Sequence, residues 1–229
     1  MTGIICALKI EVDGLKALMK DPVTARYAKL DFVSGEINGR QVVLLECGIG
    51  KVNAALGAQI MIDRYSPDVI INSGIAGGLS EELEIGDIVI SRDCVEHDMN
   101  GTALGDPRGE IWYTDEKRID IPADEATYTR LLECCSVLTD VKAKLGRIAT
   151  GDIFISTVKQ RKFIAEEFGA LCCEMEGGAI GHVCYRNDVP FAILRAISDD
   201  LKHNMGADFA EFSALAAERS IKVMTEFLS

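Results

Sequence analysis

The sequence predicts one three-layer α/β domain spanning residues 1–229. Three observations lead there. Short runs rich in Ile, Val and Leu recur along the chain without polar alternation, as in strands covered on both faces. Segments with a 3.6-residue apolar period lie between them. No linker or low-complexity stretch interrupts the 229 residues, a length that a single domain reaches.

Residues 3–7 form the first expected strand. Leu8, Val12, Leu15 and Met19 then repeat at helical spacing, so a helix follows. Residues 41–46 and 68–73 are the next buried strands. Between them, 53–65 is a helix of small residues that stops at Ser66-Pro67. Residues 87–91 form a further strand. The stretch 93–124 carries Gly, Pro and many charges and is expected to be a long excursion, functional or at a subunit contact. After it come a strand near Arg147, a helix over 156–168, a strand over 171–174, a helix over 175–186 and a strand over 190–197. Phe212, Leu215, Ala216, Val223, Met224 and Phe227 mark the closing helix.

Composition narrows the partner. Acidic residues outnumber basic ones by 36 to 24, a net charge of −12, which argues against nucleic acid or an anionic membrane surface. A neutral or zwitterionic small molecule is compatible with that charge. The eight cysteines include no CxxC, and with only three histidines no zinc-ligand spacing arises. Most of the cysteines lie in apolar runs, so buried free thiols in a reducing, cytoplasmic setting are expected. The N-terminus reaches charged residues too early for a signal peptide. No apolar run approaches the ~20 residues that span a bilayer.

In open α/β sheets, ligands bind beyond the carboxyl ends of the strands. Carboxylates and glycines gather at those ends: LKIE after the first strand, then CGIGK, GIAGG, TGDIFIS, EMEGG and SDD. Each has a plainer structural reading. Glu11 and Glu176 can favour a helix N-terminus through its dipole. Asp199 can cap a helix. GIGK is a strand-to-helix turn, since it lacks the Walker spacing and has Asn53 where a dinucleotide fingerprint requires Gly. GIAGG can be a backbone turn or a place where a ligand approaches N–H groups closely. His97, His182 and His203 stand isolated and are not expected to be bases. What remains is a carboxylate-based site with no metal, cofactor, thiol nucleophile or phosphate loop.

GIICALKIEV, GIGKVNAALGA, DVIINSGIAGGL, GDIVIS, TGDIFI, CEMEGGAIGHVC and VPFAILRAISDD follow one another along nearly the whole chain. In that order they resemble the 5′-methylthioadenosine/S-adenosylhomocysteine nucleosidases of the nucleoside phosphorylase superfamily. The resemblance implies a three-layer αβα sandwich with a mixed, partly barrel-like sheet, a homodimer, and hydrolysis of the N-glycosidic bond of 5′-thio-substituted adenosines. By the same resemblance, Asp199 protonates adenine N7 and Glu11 activates water. Glu176 grips the ribose hydroxyls, away from apolar protein, and Met175 packs on the ribose. Phe154 stacks on adenine, and the Ile155 backbone reads its edge. Ala76 and Gly77 lie beside sugar and base. Ser198 positions Asp199, and Phe209 closes over the ligand. Glu174 is left without a role other than a structural one. The chemistry agrees with these roles: adenine leaves readily once N7 is protonated, and negative charge near the sugar stabilises its oxocarbenium character. The chain departs from the family at Ile75, where Ser or Thr is usual. That removes a hydroxyl which related phosphorylases use, with arginines, to hold phosphate.

Overall fold

The computed structural model describes residues 1–199 and 209–229, with side chains in the last helix from 212 onward. The chain begins with strand β1 (Thr2–Cys6), helix α1 (Lys9–Ala17) and three antiparallel neighbours, β2 (Lys20–Tyr27), β3 (Leu30–Ile37) and β4 (Arg40–Glu46). Helix α2 (Lys51–Tyr65) leads to β5 (Val69–Gly78) and β6 (Ile88–Glu96). Three short strands follow, β7 (Ile111–Trp112), β8 (Lys117–Arg118) and β9 (Asp120–Pro122), then α3 (Glu125–Cys134). The remainder is β10 (Ala143–Thr150), α4 (Val158–Phe168), β11 (Ala170–Glu174), α5 (Gly177–Arg186), β12 (Phe191–Asp199) and α6 (Phe209–Phe227).

The sheet is mixed. β1 lies parallel between β4 and β5, and β12 lies parallel on the other edge of β5. β6 pairs antiparallel with β12, β10 runs parallel to β6, and β11 runs parallel to β10. β11 then returns to β5, with Cys173 opposite Gly77 and Cys172 opposite Gly78. Strands β5, β12, β6, β10 and β11 therefore close into a five-stranded ring, and β1 to β4 extend it as an open wing.

Alternation along the buried strands produces the layers. Ile5, Ile70 and Ile193 face one side with Ala54, Ala58, Met61 and Ile180, from α2 and α5. Their neighbours Ile4, Ile71 and Leu194 face the other side with Leu15, Leu131, Ala216 and Met224, from α1, α3 and α6. Each Ile, Leu or Met among them contributes about 1.5–3 kcal/mol on full burial. α2 can sit close because its contact face is small: a Cβ at Gly57 would stand 2.5 Å from Leu45 Cδ2. This is the expected three-layer arrangement.

The expected buried strands are all present, several of them longer than the apolar run. β5 and β6 extend to Gly78 and Glu96, past the expected ends at 73 and 91. The segment 93–124 contains the end of β6, the hairpin of β7 and β8, and β9 beside β6. All eight cysteines are free and buried. Among the described residues no helix is long and apolar enough to cross a membrane.

Candidate active site

The edge of β5 changes partners along its length. Residues 69–72 pair with β1, and residues 77–78 pair with β11. Between the two, part of that edge is uncovered, and a cavity of about 320 Å³ opens beside it. Its walls come from the ends of β1, β5, β11 and β12 and from the loops after β4 and β10. Glu11, Ala76, Gly77, Phe154, Ile155, Met175, Glu176, Ser198 and Asp199 all line this one space, as does Ile75. Phe209 opens α6, but its side chain lies outside the described residues, as does the whole of His203.

Glu11 sits in the first turn of α1 and folds back on it. Its Oε2 accepts from the N–H groups of Ala7 at 3.0 Å and Leu8 at 2.9 Å, so the plain capping role is real. Its Oε1 reaches across to the uncovered strand and accepts from Ile75 N–H at 3.1 Å. Burial raises its carboxyl above the ordinary range, while Arg195 and these three N–H groups pull it down. The close approach requires Gly74, where a Cβ would stand 2.6 Å from Glu11 Oε1 and collide with the Arg195 guanidinium.

Asp199 ends β12. Its Oδ1 accepts from Ser198 Oγ at 3.0 Å, and its Oδ2 forms an ion pair with Arg161. Arg161 stands one turn into α4, a helix started by a capping box of Thr157 and Gln160. Its guanidinium also donates to the carbonyls of Gly78 at 3.3 Å and Ile155 at 3.5 Å.

Glu176 is 5% exposed, and it lines the cavity among polar neighbours and not in apolar protein. Its Oε1 accepts from Gly50 N–H at 2.8 Å. Gly50 is held at φ 98° in the GIGK turn, a conformation that favours glycine. Burial first, then the neighbouring Glu174 charge, raise the Glu176 carboxyl to about 7. Glu174 is also buried and pairs with Arg195.

Arg195 is the largest fully buried side chain among the described residues. It meets Glu174 and Asn72, stands 3.8 Å from Glu176, and exerts its charge on Glu11. Sequence reasoning missed it, although a lone arginine inside the apolar run FAILRAI was a visible signal. Arg161 gave no such signal, since it lies on an ordinary amphipathic helix. Cys173 also lines the cavity, and burial pushes its thiol up to about 12, so it holds no thiolate near neutrality.

His97 and His182 stay out of this space. His182 faces Glu96 at 3.0 Å, and His97 is buried beside Gly151. Among the described residues no group of three or more His, Cys, Asp or Glu could hold a metal ion. The cavity thus combines four acids, Glu11 from the start of α1, Glu174, Glu176 with its near-neutral carboxyl, and Asp199 from the end of β12, with a broad apolar wall of Ile49, Ile75, Ile153 and Phe154.

The chain as a whole is similar to known proteins. A family model described as the phosphorylase superfamily matches residues 2–229. The 5′-methylthioadenosine/S-adenosylhomocysteine nucleosidase of Shewanella sediminis (strain HAW-EB3) is 39% identical over 227 residues, covering 99% of this chain and 97% of that one. The Neisseria meningitidis nucleosidase of the same name, solved with methylthio-immucillin-A, superposes with a TM-score of 0.91 at 30% identity, covering 99% and 97% of the two chains. The futalosine hydrolase of Helicobacter pylori strain 26695 superposes with a TM-score of 0.89 at 28% identity, covering 99% and 96%.

Proposed function

The chain belongs to the phosphorylase superfamily, and we propose that it is a hydrolase of the N-glycosidic bond of 5′-methylthioadenosine and S-adenosylhomocysteine. The products are adenine and the 5-thio-substituted ribose. The observation that supports this best is the meeting of Glu11, Glu176 and Asp199 in one cavity with an apolar wall. Binding alone needs no such set of acids.

In this reading Asp199 takes up a proton from solvent as the nucleoside binds and passes it to adenine N7 as the bond to the sugar breaks. The carboxylate left behind is in contact with Arg161, whose guanidinium stabilises it. Phe154 stacks on the purine, and Met175 packs on the ribose, whose hydroxyls donate to Glu176. Glu11 takes a proton from water on the opposite face of the sugar; its raised carboxyl makes it a stronger base than an ordinary glutamate. Negative charge from the acids around the sugar stabilises the oxocarbenium-like transition state.

Water is favoured over phosphate as the nucleophile. The buried guanidiniums behind the cavity acids already hold carboxylates, Arg195 with Glu174 and Arg161 with Asp199. Ile75 supplies no hydroxyl. The experiment is adenine release from methylthioadenosine in phosphate-free buffer and again with phosphate added. Release without phosphate is expected; release that requires phosphate would move the protein to the phosphorylases.

A second reading keeps the same chemistry on another 5′-modified adenosine, and the likeness to a futalosine hydrolase favours testing it. Parallel assays with S-adenosylhomocysteine, aminodeoxyfutalosine and 5′-deoxyadenosine rank the substrates. We also read the protein as a cytoplasmic homodimer. Free buried cysteines suit a reducing compartment. Ile49, Val52, Leu56, Ile153 and Phe154 are exposed apolar residues on α2 and beside the cavity, a surface that a second copy would cover. The segment 93–124 of that second copy would complete the pocket for the 5′ substituent.

A further inference from the structure

Glu174 and Glu176 are two residues apart and both buried, yet different partners hold them. Glu174 Oε2 accepts from the N–H groups of Glu176 at 2.9 Å and Gly177 at 2.6 Å, and from the Arg195 guanidinium. Its Oε1 accepts from Thr150 Oγ1. That same Thr150 oxygen accepts from Gly178 N–H at 2.6 Å. The N–H groups at 176, 177 and 178, which a helix start leaves without internal partners, are therefore all taken by Glu174 and Thr150.

Glu176 occupies the N-cap position of α5, where an acidic side chain ordinarily folds back onto the helix. It makes no such bond. Its carboxylate instead bridges to Gly50 N–H and lines the cavity. We propose that Glu174 is the positioning residue for Glu176: it takes the helix terminus and the closer contact with Arg195, and so leaves the Glu176 carboxylate turned toward the sugar beside a second negative charge. The inference rests on the reading that Glu176 accepts from the ribose hydroxyls.

A chemical consequence follows. Vicinal hydroxyls both donate to a carboxylate, so the ionised form of Glu176 is the one that grips the sugar. The groups facing it are Glu174 and Glu11, which disfavour that form, Arg195 and Gly50 N–H, which favour it, and the neutral Cys47 thiol. With the carboxyl raised to about 7, sugar binding strengthens as pH rises through the neutral range. Removing the Glu174 charge moves that rise to lower pH.

The test compares wild type, Glu174→Gln, Thr150→Val and Glu176→Gln by kcat/KM on methylthioadenosine and by adenine binding, from about pH 5.5 to about pH 8.5. Wild type should show an acidic limb near neutrality. In Glu174→Gln that limb should move about one pH unit down, raising the ratio of kcat/KM at low pH to that at high pH about tenfold. Thr150→Val removes one leg of the clamp but keeps the charge, so it should lower kcat/KM at every pH without moving the limb. Glu176→Gln should remove the limb and spare adenine binding. A limb in Glu174→Gln that stays where wild type has it overturns the proposal, whatever its height. If Glu174→Gln does not fold, the wild type and Glu176→Gln decide: a limb that survives in Glu176→Gln refutes it. Equal losses of nucleoside and adenine binding in Glu176→Gln would instead sink the ribose reading, and so are separable.

Discussion

Replacing Arg195 by methionine removes the guanidinium that stands among Glu11, Glu174 and Glu176 and keeps most of the side-chain volume. Arg195 and Glu174 are 1% and 2% exposed at their side chains, so solvent cannot take over the lost pairing. Breaking a buried pair from one side costs about 3–5 kcal/mol. For a chain of this size, each kcal/mol lowers Tm by about 2–4 °C, so a fall of about 10 °C is expected. The loss should also depend on pH. Glu176 has a folded-state carboxyl raised to about 7, above its ordinary 4.5. A raised group contributes stability that is fully present below the unfolded value and is lost as pH rises through the folded one. Arg195 lowers both the Glu176 and Glu11 carboxyls, so its removal widens that window upward. Arg195→Met should therefore be more damaging at about pH 8 than at about pH 5, where the acids can take up protons. Urea unfolding at the two pH values measures this. A deficit of the same size at both, or one below about 1 kcal/mol, would refute the idea that Arg195 balances the three acids.

Asp199→Asn should lower kcat by about a hundredfold to ten-thousandfold while circular dichroism stays that of wild type; near-normal turnover would end its assignment as the acid. Gly74→Ala places a methyl group against Glu11 and Arg195 and should cost about 1–3 kcal/mol, with a larger proportional loss of turnover than of stability. If activity tracks stability alone, Gly74 serves the fold and not the site. None of the eight native cysteines should react quickly with a maleimide, and all should react in urea, because burial both hides the thiols and holds them protonated. Rapid labelling of Cys173 in the folded protein would contradict this.

The expected strands were legible because each is covered on both faces, and a run such as VIINS has little else to be. β2 and β3 were not. β2 is an outer strand with most residues exposed and carries Pro22, so it has no buried face to leave a period in the sequence. The Asn38-Gly39 pair between β3 and β4, with φ of 52° and 82°, was a readable hairpin turn. The turn between β2 and β3 is made by Ala28 and Lys29 at φ 48° and 66°, residues that announce nothing. In the site, the acids and glycines at strand ends were legible from position alone. The Arg161–Asp199 pair was not, because it joins residues 38 apart on elements that meet only after the sheet closes. Glu174 could be seen as structural but not as the holder of a helix terminus, since that depends on Thr150 from the neighbouring strand.

The return of β11 to β5 also bears on how the protein is made. β5 is complete at residue 78, but two of its partners, β11 and β12, are translated only at 170–174 and 191–199. Until then the edge of β5 that takes β12 and the end that takes β11 stay open, the kind of surface on which chains aggregate. Pairings this distant in sequence also form slowly, because the intervening chain must be ordered first. A product truncated before residue 170 still carries Glu11 and the whole of β5, yet has neither the strand that walls the cavity nor Asp199. Such fragments should go to aggregates or proteases with no residual purine binding, so that synthesis of this protein succeeds or fails over its last sixty or so residues.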